Sequence, residues 1–298
     1  MITHRNLLVL TSAVLATVQH VGAQILGCDE LGCPVASGTE SCTVADKTFR
    51  HVGAASVDIP DRNNVSIGLS WVKGVSSKAI NGTDSVQYDQ SFYLGTPPGF
   101  ELHPSAGCAL FFHDISKNIK FNNSRDAPLP YAEGTCQETT MGPSCVSAVI
   151  ELAQMAFEKV TPYDSCELLE ETFASIIADA CVGSLINGGN WSPYTIKNLH
   201  KASSKAPISG EQNATSDCWP VLPKNHDLRL IESIKRTGGS DQATEDDQFY
   251  GITPILTVLY PTAAGEISLV NYPRAQLTCL KTIKTHAIMS PEGDESRR

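Results

Sequence analysis

PSCVSAVIELAQMAFEKVTPYDSCELLEETFASIIADAC, residues 143–181, reads as two amphipathic helices joined by a tight turn. Val146, Val149, Ile150, Ala153, Phe157 and Val160 recur at the helical spacing. Gly142-Pro143 breaks the preceding chain, and a proline is tolerated in a helix's first turn. Thr161-Pro162-Tyr163 ends the first run, and Asp164 with Glu167 three residues on resembles a capping box. Leu168, Leu169, Thr172, Phe173, Ile176, Ile177 and Ala180 then mark a second apolar stripe, closed by Gly183. So short a turn makes the two helices antiparallel neighbours, with the start of the first near the end of the second. That geometry predicts a Cys145–Cys181 disulfide.

The sequence on either side of the hairpin has a period of two. Val65, Ile67, Leu69 and Trp71 alternate with Ser66, Gly68, Ser70 and Val72, as in a half-buried antiparallel strand. Phe49–Val52 and Gln90–Leu94 are weaker strands, and the Gly95–Gly99 run is a turn. Ala109–His113 is heavily apolar and expected at a sheet centre. After the hairpin, residues 183–217 read as loop, Leu228–Ile231 as strand and Gly238–Asp247 as a polar acidic loop. Ile255–Tyr260 is apolar on both faces and predicts a fully covered strand; Ile267–Asn271 and Gln276–Ile283 complete the set. The expected fold is mainly β with an α insertion (α+β): an antiparallel β-sandwich or jelly-roll-like domain with the helical hairpin inserted at about 143–181. Each β block has few strands to close a core alone, which favours one domain over two.

The first residues read as a targeting segment. His4 and Arg5 precede the uncharged apolar run Leu7–Val18, and Val21-Gly22-Ala23 supplies a cleavage site before Gln24. The expected division is a signal peptide at 1–23, a disulfide-bonded domain at 24–285 and a polar tail at 286–298. The tail carries no hydrophobic lipid-anchor signal. All ten cysteines follow the leader, an even number that favours disulfides in a secreted chain. Five Asn-x-Ser/Thr acceptors, at Asn64, Asn81, Asn122, Asn190 and Asn213, predict surface glycosylation. The expected location is extracellular or the lumen of the secretory pathway, with no stable membrane insertion after the leader is removed.

Charge argues against nucleic acid. The chain has 22 basic and 32 acidic side chains, a formal net charge of −10, and no basic cluster with interleaved aromatics. No Gly-x-Ser-x-Gly, His-Glu-x-x-His, P-loop or helix-opening Gly-x-Gly-x-x-Gly occurs. Cys28-x4-Cys33-x8-Cys42 does not match a paired Cys-x2-Cys zinc pattern. No metal and no cofactor is expected. His113 and His51 are the candidate catalytic residues. His113-Asp114 on a strand would point to opposite faces and form no dyad. Trp191 and Tyr194, beside a sequon in a Gly/Asn/Ser/Pro-rich stretch, are the candidate ligand-binding aromatics.

Phe92-Tyr93-Leu94-Gly95-Thr96-Pro97-Pro98, Gly107-Cys108-Ala109-Leu110-Phe111-Phe112 and Cys218-Trp219-Pro220 resemble a type of secreted, cysteine-rich, β-patterned glycoprotein common in filamentous fungi. The resemblance spans most of the chain after the leader and carries no established activity. Three functional readings follow. The first is binding of a small apolar molecule or a cell-wall glycan. The second is a secretory-pathway enzyme of cyclase or isomerase type, acting on a small secondary metabolite by orientation and electrostatics, which leave no motif. The third is a structural cell-surface protein. The third has no pocket; if a site exists, it is expected between the two β blocks that the hairpin connects rather than on the hairpin.

Overall fold

Alternating side chains on two sets of strands bury their apolar rows against each other. The computed structural model describes residues 42–44, 47–49, 51–97, 100, 102, 107–115, 119–121, 136–157, 165–200, 227–261 and 268–284. The leader 1–23, Cys28, Cys33, Cys218, Asn122, Asn213, the interhelical turn with Asp164, and the tail 286–298 lie outside them. Strands β3 (His51–Val57), β4 (Leu69–Ala79) and β5 (Ser85–Thr96) form an antiparallel meander. With β10 (Asp227–Gly239) and β13 (Ile283–Lys284) they make a five-stranded sheet in the order β10-β5-β4-β3-β13. A second sheet, in the order β12-β11-β6-β9, combines β6 (Gly107–Phe112), β9 (Tyr194–Asn198), β11 (Thr253–Leu259) and β12 (Arg274–Leu280). Among the described residues, two short hairpins complete the β structure: β1 (Cys42–Val44) with β2 (Lys47–Phe49), and β7 (Ile186–Asn187) with β8 (Asn190–Trp191).

The two large sheets face each other. Leu69, Trp71, Phe92 and Leu94 of the first meet Ala109, Phe111, Ile255 and Leu259 of the second in one buried cluster. Trp71 stands edge-on to Phe111, centroids 5.4 Å apart, and its Nε1 donates to Thr257 Oγ1 at 2.8 Å. The second sheet is covered on its other face by α1 (Pro143–Phe157) and α2 (Ser165–Ser175). There Leu110, Phe112, Leu256, Val258 and Leu277 pack on Val146, Val149, Ala153, Phe157, Leu169 and Phe173. The molecule is thus sheet, sheet and helices in three layers. The apolar run at 255–260 is buried throughout because β11 has a layer on each side.

Among the described residues, three disulfides sit in the helix-facing layer. Cys145–Cys181 joins the start of α1 to the turn after α2, with Cα atoms 4.7 Å apart. Cys108–Cys166 ties β6 to α2, and Cys136–Cys279 ties the turn before α1 to β12. The hairpin is clamped to the sheet as well as across its own ends.

Several local readings are corrected. The second helix ends at Ser175, and Ile176 and Ile177 are exposed at 45% and 40%. The chain leaves the helix there and reaches Cys181 through a 3-10 turn, Asp179–Cys181. Residues 65–68 precede the strand rather than form it: Asn64 and Gly68 have positive φ, 61° and 70°, and Val65 is exposed. Residues 183–200 hold β7, β8 and β9 rather than loop alone. Gly238–Asp247 is not a loop: β10 runs to Gly239 and a helix, α3 (Gln242–Tyr250), follows. Asp241 caps it, accepting from Thr244 N at 2.9 Å and Thr244 Oγ1 at 2.7 Å. Within 268–273 no strand forms, and β12 begins at Arg274.

Candidate functional site

The site is assembled where the edge strands of the two sheets come together, β9 on one side and β10 on the other. On β9, Thr195 lies opposite Phe111 and Lys197 opposite Ala109, so both share the sandwich-facing side of that sheet. On β10 the register shifts between Leu230 and Glu232. A bulge of this kind re-aims a side chain, and here consecutive residues Ile231 and Glu232 are both buried.

Glu232 is held from three directions. Its Oε2 accepts from Thr195 Oγ1 at 2.9 Å and pairs with Lys197 Nζ at 3.2 Å, and its Oε1 accepts from Ser233 N at 2.8 Å. Thr195 Oγ1 also lies 3.0 Å from His113 Nε2. A hydroxyl has one proton, and here it goes to Glu232, so His113 Nε2 must be the donor. The imidazole is then the neutral Nε2–H tautomer. Its Nδ1 is a lone-pair acceptor with no hydrogen bond among the described residues. Burial pushes the His113 pKa down to about 4. The Arg236 and Lys73 charges act in the same direction, and Glu232 and Asp114 oppose them.

His113 lies one residue past the end of β6, not within a strand, and its N–H donates to Pro193 O at 2.6 Å. Asp114 then turns the chain with a left-handed φ of 48°, a conformation uncommon outside glycine. Asp114 forms an ion pair with Arg236 Nη1. The Arg236 Nε is buried and has no hydrogen-bond partner among the described residues.

Lys73, on β4, is buried close by. Its Nζ donates to Gly251 O at 2.9 Å and Thr253 Oγ1 at 3.0 Å, and lies 5.8 Å from the Phe92 ring centre. Burial pushes its pKa down to about 7, helped by Arg236 and opposed by Asp247. A structural role accounts for these contacts. Gln90 Nε2 donates to Gln248 O at 3.2 Å and Thr282 Oγ1 to Phe249 O. Together with Lys73 they satisfy carbonyls at the C-terminal end of α3, which have no partner within the helix.

The sequence candidates separate. His113 belongs to the cluster. The His51 backbone lies on β3, three strands from β10 in the sheet order, and its side chain is outside the described residues. Trp191 is buried rather than exposed: its ring packs on Phe173 at 5.1 Å and Phe112 at 5.8 Å, and Nε1 donates to Ile176 O at 2.8 Å. Tyr194 is half-buried against the same two phenylalanines. These rings belong to the helix–sheet packing. Asn64, Asn81 and Asn190 are exposed.

Thr195, Lys197, Glu232 and Arg236 are absent from the sequence reading. Their one local signal is that Glu232, Ile234 and Arg236 alternate along β10, sharing a face. Among the described residues, no group of three or more His, Cys, Asp or Glu is placed to hold a metal, and no helix is long and apolar enough to cross a membrane. Set against protein-family models, curated proteins and solved structures, the chain matches none of them.

Proposed function

We propose that this chain is a secreted, disulfide-bonded glycoprotein that binds a small organic molecule between β9 and β10. One observation carries the reading. Among the described residues, the cluster leaves an acceptor, His113 Nδ1, and a buried donor, Arg236 Nε, without partners. A buried polar atom is costly unless bonded, and a ligand that accepts from Arg236 Nε recovers that cost while it donates to His113 Nδ1. The buried Phe92–Phe111 pair lies beneath, its rings 5.2 Å apart, beside Thr195 and Glu232 in the two ladders. A glycan is the weaker choice, because the rings of Trp191 and Tyr194 are engaged in internal packing. The leader pattern, the exposed sequon asparagines and the three disulfides support the secretory route.

Protein-observed NMR of the secreted chain against a fragment set of neutral and charged compounds tests the site. Bound fragments are expected to shift the signals of Thr195 and Arg236. Hits mapping only elsewhere refute it, and a chain that binds nothing returns the structural reading. N-terminal sequencing should find Gln24 first, and removal of N-glycans should lower the apparent mass.

A second reading, an acid–base enzyme, is favoured by the hydrogen-bonded chain His113–Thr195–Glu232. An oriented imidazole with a bare Nδ1 is suited to take a proton from a bound molecule. His113→Gln should then abolish turnover while leaving binding measurable. Bound compounds recovered chemically unchanged from the wild type would leave the binding reading alone.

A further inference from the structure

We infer that Asn64 carries an N-linked glycan whose first sugar is seated on a platform made by Arg274 and Tyr272, as part of the folded surface. The inference rests on the glycoprotein part of the reading above and names where one such modification lies. Asn64-Val65-Ser66 is the acceptor triplet. Attachment joins Asn64 Nδ2 to C1 of an N-acetylglucosamine. Nδ2 loses one proton, and the diphosphate of a lipid-linked oligosaccharide donor leaves. The fold then decides where the sugar rests.

The amide sets the direction in which the sugar leaves. Arg274 Nη2 lies 3.3 Å from the Asn64 side-chain oxygen. A guanidinium only donates, so it is Oδ1 that faces Arg274, and Nδ2 is left for attachment. A substituted amide prefers the trans arrangement, as the peptide bond does, and this puts C1 of the sugar on the same side of the C–N bond as the oxygen. The sugar therefore starts beside Arg274. That guanidinium is stacked on Tyr272, its central carbon 3.8 Å from the ring centre. It gives one N–H to Asn64, and its other side-chain donors have no acceptor among the described residues, so they suit the N-acetyl carbonyl or a hydroxyl of the sugar. Tyr272 is 51% exposed, the one exposed aromatic ring among the described residues, and Val65 next to the sequon asparagine is 62% exposed. The apolar C–H face of a sugar removes such surface from water. The platform is also preformed. Asp61 Oδ1 accepts from Asn63 N at 2.7 Å and Val65 N at 2.9 Å, which holds Asn64 at its φ of 61°. Arg62 N donates to Leu269 O at 2.9 Å and Asn271 Nδ2 to Arg62 O at 3.3 Å. The turn with the sequon is thus tied to the segment with Tyr272 and Arg274, and little freedom is lost when the sugar settles.

The test uses the full secreted chain, made in a eukaryotic host fed isotope-labelled glucose so that its glycans are visible by NMR. Mass-spectrometric site mapping should find Asn64 occupied. The signals of its first sugar, assigned by their loss in Ser66→Ala, should be shifted upfield by the Tyr272 ring. Sugars on Asn81, exposed at the β4–β5 turn, should keep the shifts of the glycan released from the protein. Tyr272→Ala should return the Asn64 sugar to those shifts without lowering occupancy. If Tyr272→Ala does not fold, the wild-type shifts decide alone. Wild-type shifts equal to those of released glycan, or upfield shifts that Tyr272→Ala leaves unchanged, overturn the inference. Asn64 unoccupied while Asn81 or Asn190 carries sugar also overturns it and leaves the glycoprotein reading standing. A chain with no sequon occupied removes both.

Discussion

His113 and Lys73 are both buried bases, and burial makes each favour the uncharged form. His113 has a folded-state pKa of about 4 against an ordinary value of 6.5. Between those values the unfolded chain binds more protons than the folded one, so stability falls as pH drops from 6.5 towards 4. His113→Gln should remove that component. Urea midpoints measured every half pH unit test it, and parallel wild-type and variant curves would show that the imidazole is not held neutral. Lys73 titrates near 7 when folded and at 10.5 when exposed. Its depressed pKa makes stability climb with pH from about 7 towards 10, and Lys73→Met should flatten that climb. The same midpoints above pH 7 decide it. His113 was recognisable from the sequence as a lone histidine at the end of an apolar run. Its partners were not, since Thr195 lies 82 residues away and Glu232 a further 37.

At the scale of elements, the apolar and helical patterns place β6, β11 and α1 close to where they are found, and the alternating run at 65–72 overlaps only the start of β4. They fail where local chemistry overrides composition. The acidic stretch at 241–247 looked like loop because its charges hide the cap, yet Asp241 with Thr244 starts α3. Phe249 then seats that helix edge-on to Tyr88, centroids 5.6 Å apart. Outside the five-stranded sheet, Phe49 covers β4 so closely that a Cβ on Gly74 would lie 2.6 Å from its ring. Gly74→Ala must push that ring off the sheet, and overpacking of this kind costs on the order of 1–3 kcal/mol. A chemical-denaturation curve superimposable on the wild type would show that the β1–β2 hairpin yields freely.

For the whole molecule, the disulfides decide how the helices are held. Cys136–Cys279 spans 143 residues and Cys145–Cys181 spans 36. On chain-entropy grounds the longer closure contributes about 5 kcal/mol and the shorter about 4. The double variant Cys136→Ala/Cys279→Ala should therefore unfold at lower denaturant than Cys145→Ala/Cys181→Ala. The reverse order would mean that the clamp across the helical hairpin, not its attachment to β12, dominates. Sequence by itself determined the α+β character and the hairpin between two β blocks. Those follow from residue periodicity and from the short interhelical turn, both local properties of the chain. Tertiary structure alone decided that Trp191 is core, that Lys73 clasps the end of α3, and that His113 meets Thr195, Glu232 and Arg236. These depend on which strands become sheet edges and where one bulge re-aims β10. Non-local pairing fixes both, and no short stretch of residues encodes it.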